Sequence, residues 1–579
     1  MSRLLVAARS VIPLPPLSRY PLADLPADLS AAVAVCFLAV PQGLAYATIA
    51  GLPPSMGLYA AAVPTIIGSL FRSSRHVVAG PTNALSLLVG AAVATGLGGD
   101  PVGVALSLAL MVGLMQVGAG LLRLGAVVDY ISGPVVLGYI TGAGVLIGAG
   151  QLYNVTNTAG PRGDLITTVS HWLPTVGNAS GLAVAVAGGT VGLVLVARWL
   201  SRRTGRRIPA AIAAMAAALV VNVLFDLESR GLKVISDLAP IPAGFAGPHL
   251  PPLANLGELV PVAVACTVLS LVESSAVARS IAARTGQRLD ASTEFVGQGL
   301  SNLAASVWGG YPVSGSLSRS ALNERGGARS RVAGMLTGLM MIGVLLVFGP
   351  ILDHTPIASL AGLLLVVAWD LVDGRRIVRT LRASPADAIG LGVTLLATWT
   401  LELDTAIYLG VGISVVLFLR RARGLVIREM LRDEEGHWQE GDVGAPGSRP
   451  LGVRVLQAEG PLFFGAAGQL VTALDDVLRD PGCIALVLRL KRAQGMDATV
   501  AGALAETSQL ALQSGRVLVL VGLDEKMEGV MTRSGAASAF EPAHLVRTRA
   551  RRFEALDVAC ARAEEFVAAN AHPVPAPGV

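Results

Sequence analysis

The 579-residue chain is 53% hydrophobic and 14% charged, with a mean hydropathy of +0.64. That is more apolar surface than a soluble fold can bury, which argues for a polytopic membrane protein. Its formal charge of +5 is small for the length and lies in the gaps between apolar runs, so a pI of 9.2 is no argument for nucleic-acid binding.

Residues 1–28 read as a cytoplasmic N-terminal segment. Arg3 and Arg9 are followed by prolines and acids, with no short apolar core before a small-residue cleavage motif, so no removed signal peptide is expected. Apolar runs then fall at about 29–50, 56–71, 80–96, 101–122, 130–152, 180–200 and 207–225. A second group lies at about 258–282, 289–307, 311–326, 331–351, 357–372, 385–402 and 405–420. Judged against the roughly 20 residues of a spanning helix, these predict about fourteen spans in a transmembrane domain over 29–428. The third and tenth runs are interrupted, at Gly80-Pro81-Thr82-Asn83 and at Tyr311-Pro312-Val313-Ser314-Gly315. An offset of seven is what an inverted repeat of seven plus seven produces, and paired interrupted segments point to a transporter's binding site.

The loop charges agree with this topology. With the N-terminus inside, inside loops hold Arg72, Arg75 and His76; Arg123; Arg202, Arg203, Arg206 and Arg207; Arg279, Arg284 and Arg288; Arg325, Arg329 and Arg331; and Arg375, Arg376, Arg379 and Arg382. Outside loops hold Asp226, Glu228, Asp237, Asp353, Glu402 and Asp404, with Arg162, Arg230 and Lys233 as exceptions. An even number of spans returns the chain to the cytoplasm at Arg420.

Beyond Arg428, residues 429–450 are charged and contain Gly and Pro, and read as a linker. A small cytoplasmic α/β domain is expected over 451–570. Its strands fall near Val453–Leu456, Ala485–Leu490 and Val517–Val521, and its helices near 465–479, 499–514, 524–534 and 551–569. Residues 571–579 read as a disordered tail. Met496-Asp497-Ala498-Thr499 offers either a phosphorylatable Thr499 or a plain N-capping turn. Cys36, Cys266, Cys483 and Cys560 are too scattered for a disulfide framework or a metal site. There is no Walker-type glycine loop and no Gly-x-Ser-x-Gly elbow, so neither an enzyme nor a cofactor is expected.

The chemistry concentrates in the two breaks. Pro312 and Gly315 disfavour a continuous helix, while Ser316 and Ser318 suit a new helix start whose free N–H groups attract an anion. Arg319 follows in the first turn, either snorkelling to an interface or holding an anion. Gln42 and Tyr46 lie four apart on one face of the first helix, after Pro41; they either donate to an oxyanion or pack between helices. Thr82 reads as both helix cap and ligand neighbour, and Asn83 as either a cap or a selectivity residue. Glu273 falls well inside its run, as a structural partner of Arg319 or as a proton-coupling carboxylate; sodium coupling remains open.

Pro41-Gln42-Gly43-Leu44-Ala45-Tyr46-Ala47, Ala50-Gly51-Leu52-Pro53-Pro54 and Gly57-Leu58-Tyr59 resemble the first-helix signature of the sulfate permease (SulP) anion transporters, relatives of pendrin and prestin. Ser74-Arg75-His76, Gly80-Pro81-Thr82, Gly315–Ser320 and Gly326-Gly327-Ala328-Arg329 are further matches, and the C-terminal segment is similar to a STAS domain. The resemblance implies a fourteen-span inverted repeat with core and gate domains, commonly dimeric, with the anion between the N-termini of the third and tenth helices. It makes Ser318 and Arg319 the anion-contacting pair, and Glu273 the acid that some members use for proton coupling. The expectation is a secondary active transporter of sulfate, bicarbonate or a C4-dicarboxylate, multi-pass in the cell inner membrane with both termini cytoplasmic. Its partners would be the anion, a coupling H⁺ or Na⁺, membrane lipid and a second copy of the chain. The alternatives are a Na⁺-coupled symporter, an exchanger, or a STAS signalling protein that has lost transport.

Overall fold

The computed structural model of the protein describes residues 20–570, apart from 97–99, 126–131, 161–164, 206–207, 243, 245–246, 254–255, 423, 434, 446–447, 449, 550 and 552. Most of the N-terminal segment, the tail 571–579 and the loop cations Arg162, Arg206 and Arg207 lie outside the described residues. The chain packs as two units, Met1–Val415 and Val416–Val579.

The first unit is a polytopic helical membrane fold. Its elements begin with α1 (Leu25–Ile49), α2 (Pro54–Phe71), β1 (Ala79–Gly80), α3 (Asn83–Ala94), α4 (Pro101–Leu121), α5 (Gly133–Gly150), α6 (Leu152–Thr156), α7 (Leu165–Trp172), α8 (Gly181–Thr204) and α9 (Ala210–Phe225). They continue with α10 (Leu256–Thr285), α11 (Ala291–Val307), β2 (Ser314–Gly315), α12 (Leu317–Arg325), α13 (Val332–Leu352), α14 (Ile357–Leu371), α15 (Gly374–Ala383), α16 (Pro385–Thr400) and α17 (Leu403–Ala422), the last running on past Val415. Every predicted apolar run carries a helix, and nine helices among the described residues are long and apolar enough to cross a bilayer. Loops are predicted where α6, α7 and α15 lie. Of these, α15 holds Arg375, Arg376, Arg379 and Arg382 on one amphipathic turn sequence, which explains why a search for apolar runs passes over it.

The interrupted runs are short helices preceded by strands. At 1.5 Å per residue α3 reaches about 18 Å and α12 about 14 Å, against a hydrocarbon core of about 30 Å. Their leading strands pair antiparallel, Ala79 with Gly315 and Gly80 with Ser314, which is the relation expected of inverted halves. Close packing holds α1 against α2: a Cβ on Gly57 would sit 1.9 Å from the Gly43 carbonyl oxygen, so only glycine fits there.

The second unit is a six-stranded sheet in the order β4-β3-β5-β6-β7-β8: β3 (Val426–Arg432), β4 (Trp438–Gly441), β5 (Val453–Leu462), β6 (Ala485–Met496), β7 (Val517–Leu523) and β8 (Leu545–Arg547). From β5 to β8 the pairing is parallel, and β3 runs antiparallel to both neighbours. Helices α18 (Phe464–Leu478), α19 (Ala498–Gln513), α20 (Glu525–Arg533) and α21 (Glu554–Asn570) cover it. The period-2 pattern sorts side chains cleanly. Leu486, Leu488, Leu518 and Leu520 join Leu470 and Leu504 on one face, while Val487, Val517, Val519 and Val521 join Leu556 and Cys560 on the other. Residues 429–450 differ from the predicted linker, because β3 and β4 lie within them and extend the sheet. Charged residues such as Glu429 conceal the strand; buried, it accepts from Arg454 within the sheet. At Asp497 the side chain caps α19 through Val500 N at 2.9 Å, matching the capping alternative for that turn.

Candidate anion site

The break before α12 is held open by side chains. Val313 N donates to Asn302 Oδ1 at 2.7 Å, while Gln298 Nε2 and Ser270 Oγ donate to Val313 O at 2.6 and 3.0 Å. Asn302 is itself tied to Gln116 Oε1 at 2.8 Å, and the Tyr311 hydroxyl meets Ser86 Oγ at 2.9 Å. Ser316 N donates to Val78 O at 3.0 Å, and Ser320 Oγ accepts from Val78 N at 2.9 Å. Backbone groups that leave a helix inside a membrane need such partners. Ser320 is thus a packing residue. Ser316 caps α12, accepting from Arg319 N at 3.4 Å.

Four of the six predicted site residues bond to one another, in two pairs. Gln42 Nε2 lies 3.4 Å from Ser318 Oγ, joining α1 to the start of α12. Arg319, only 1% exposed, donates through Nη2 to Pro81 O at 2.7 Å, reaching across to the other break. Thr82 Oγ1 donates to Glu273 Oε2 at 3.1 Å rather than capping α3. Tyr46, 5% exposed, has both Arg319 and Glu273 as electrostatic neighbours. Gly80 adopts φ +147°, and a Cβ there would stand 2.9 Å from Arg319 Nη2, so the guanidinium needs a glycine beside it. Asn83 turns its Oδ1 to Ala84 N at 2.8 Å, a local role.

Two expectations change. Glu273 is not paired with Arg319: among the described residues no carboxylate lies within 4.0 Å of that guanidinium, and the acid is engaged by Thr82 instead. Arg72 is not a solvated loop charge. Its side chain is fully buried, with Nη1 on Ser274 Oγ at 3.0 Å, Nη2 on Gln298 Oε1, and Glu294 at 4.0 Å. The supporting residues Gln298 and Asn302 escape a search for interrupted helices, yet their i, i+4 spacing in an apolar run marks a polar stripe on α11.

On Arg319 the buried Nε and Nη1 have no hydrogen-bond partner among the described residues. The arrangement presents a buried fork of donors beside the first turn of α12, with Ser318 and Gln42 adjacent. Such a fork accepts an oxyanion, for which guanidinium geometry is suited.

A family model described as "Sulfate permease family" matches residues 25–394, and one described as "STAS domain" matches residues 448–551. YvdB of Bacillus subtilis (strain 168), named as a candidate sulfate transporter, is 30% identical over 519 residues, 88% of this chain and 93% of that protein. Human solute carrier family 26 member 6 is 33% identical over 433 residues, 70% of this chain and 56% of its own length. Among solved structures, murine Slc26a9 superposes with a TM-score of 0.84 at 19% identity, over 97% of this chain and 95% of that one. The transmembrane domain of the cyanobacterium bicarbonate transporter BicA does so with a TM-score of 0.59 at 23% identity, over 69% and 98%. These structural likenesses concern the fold alone. The family match covers most of the chain: it belongs to the sulfate permease family, as a multi-pass membrane anion transporter, not an enzyme, with a C-terminal STAS domain.

Proposed function

We propose that this chain is a secondary active transporter that carries a small anion of the sulfate, bicarbonate or C4-dicarboxylate class together with a proton, by alternating access. The anion binds between the N-termini of α3 and α12, on Arg319, with Ser318, Gln42, Tyr46 and Thr82 around it. One observation carries this reading: Arg319 is buried, has no acidic partner among the described residues, and keeps Nε and Nη1 unbonded. A buried cation without a counter-charge costs several kcal/mol, a cost that a bound anion removes.

Glu273 supplies the coupling. An anion arriving at Arg319 places negative charge near an ionised carboxylate in a low-dielectric setting, which favours protonation of the acid. Proton and anion then bind cooperatively. The carboxylate with the Thr82 and Ser314 hydroxyls nearby also offers oxygens to Na⁺, which supports sodium symport as the second reading. Both termini face the cytoplasm, and the protein works in the cell inner membrane as a pair of copies.

The test is uptake of radiolabelled sulfate, bicarbonate and C4-dicarboxylate into proteoliposomes under an imposed proton gradient, a sodium gradient, or neither. Accumulation of one anion on the proton gradient is expected. Accumulation on sodium alone would replace the proton by sodium, and folded protein that neither binds nor moves any of these anions would overturn the proposal.

A further inference from the structure

A second polar cavity, of about 580 Å³, lies apart from Arg319, lined by Arg75, His76, Gln287, Arg288, Asp290 and Arg331. Its walls come from the segment joining α2 to β1, the connection between α10 and α11, and the residue preceding α13. Those segments are cross-tied. Gln287 Nε2 donates to Ser73 O at 2.7 Å, Gln287 Oε1 accepts from Arg75 N at 3.2 Å, and Asp290 N donates to Ser73 Oγ at 3.2 Å. The cavity is therefore a built feature of the fold.

Its charge is one-sided. Three guanidiniums face one carboxylate, and that carboxylate, Asp290, is occupied as the cap of α11, accepting from Thr293 N at 2.6 Å. The next acid, Glu294, is bonded through Oε1 to Ser73 and Ser74 and lies 4.0 Å from Arg72, and among the described residues it is the one acid that attracts Arg331. None of Arg75, Arg288 and Arg331 forms an ion pair among the described residues. Arg331 Nη1 is buried without a hydrogen-bond partner, and so is Nδ1 of His76, a residue 7% exposed. His76 Nε2 lies 3.1 Å from Ala328 O, so its Nδ1 becomes a donor when the ring takes up a proton opposite an anion.

We propose that this cavity is a second anion site, distinct from the one at Arg319, that takes a polyvalent phosphate-bearing anion. Several separate guanidiniums around a space larger than one oxyanion favour a ligand with more than one anionic group, and guanidinium forks match phosphate oxygens. The occupant links the segment leading into β1 with the one leaving α12. It therefore ties together the roots of the two breaks and restrains their motion relative to the α10–α11 connection. A lipid headgroup and a soluble phosphate share this chemistry.

Calorimetry with inorganic pyrophosphate on the full-length protein in phosphatidylcholine nanodiscs tests the site. Arg319→Ala is expected to keep pyrophosphate binding, whereas Arg288→Gln/Arg331→Gln weakens it by about tenfold or more. Arg202→Gln/Arg203→Gln removes the same charge elsewhere and leaves it unchanged. If the double variant does not fold, Arg288→Gln alone, at an exposed position, is expected to weaken binding severalfold. Absence of pyrophosphate binding, equal losses in the Arg202/Arg203 control, or loss through Arg319→Ala alone would each overturn the proposal. Repeating the titration with phosphatidylinositol bisphosphate in the discs identifies the source. Weaker apparent pyrophosphate affinity assigns the cavity to a headgroup, and unchanged affinity assigns it to a soluble anion. Failure here leaves the transport reading at Arg319 intact, because that reading is measured by uptake.

Discussion

Among the described residues two arginines are fully enclosed in the membrane unit, and they are furnished differently. Arg72, at the end of α2, has Ser274, Gln298 and Glu294 around it and one unbonded nitrogen, Nε. Arg319, in the first turn of α12, has a single backbone carbonyl and two unbonded nitrogens. Burial is therefore no guide to which of them handles a ligand; the company each keeps is. A cation already matched by an acid and by neutral acceptors is part of the scaffold, because a ligand there would have to displace those partners. A cation left with free donors is matched only when something negative arrives.

The largest effects test that contrast directly. Arg319→Ala is expected to abolish anion binding while the purified protein keeps its thermal stability; near-normal affinity in calorimetry would end the assignment. Arg72→Ala should do the reverse, destabilising the fold by about 3–5 kcal/mol because it leaves Glu294 buried and unpaired. Thermal unfolding in detergent reads this, and an unchanged midpoint would make the two arginines equivalent. Glu273→Gln imitates the protonated acid, so it should bind anion normally yet lose stimulation by an inward proton gradient. The comparison is uptake at about pH 5 and about pH 7.5 in vesicles; a variant that still concentrates substrate on a proton gradient would remove Glu273 from the coupling step.

A smaller effect is expected from Gly80→Ala. The new Cβ crowds Arg319 Nη2 at a backbone angle that suits glycine, and should weaken anion affinity about tenfold without touching Arg72. The smallest concerns selectivity. Because β3 and β4 belong to the sheet, removing the STAS unit calls for a cut near residue 424, not 451, which would leave the β3–β4 pair without β5. That truncation should lower surface expression or turnover and leave the anion preference of uptake unchanged; a shifted preference would place part of the selectivity outside the membrane unit.

Much of this was readable in the residues, because membrane segments announce themselves by composition and breaks by Pro and Gly. The apolar runs and the interruptions at Pro81 and Pro312 follow from that, whereas Ser318 as an anion contact comes from the resemblance to the sulfate permeases. Arg72 lies in the segment after α2, where its position in the sequence puts it, but charge counting cannot tell a solvated loop cation from one folded inward beside Glu294, more than two hundred residues away in the chain. Glu273 and Arg319 looked like a pair because both are charges in apolar runs; the partner each takes, Thr82 and Pro81, depends on side-chain reach of an ångström or so that no periodicity encodes. Strand β3 is hidden by Arg428, Glu429 and Arg432, because a buried carboxylate such as Glu429, held by Arg454 of the next strand, breaks the apolar pattern that marks a strand.

The pairing of β1 with β2 also sets an order of events during synthesis. Val78 meets Ser320, and Arg319 meets Pro81, across 242 and 238 residues of chain. Contacts of such separation form late, after the intervening helices have been inserted. Until Ser314–Gly315 leaves the ribosome, Ala79–Gly80 has no strand partner and Thr82 has no cradle to face. A chain truncated before Ser314 thus carries an unfinished break, with Ala79–Gly80 lacking its strand partner.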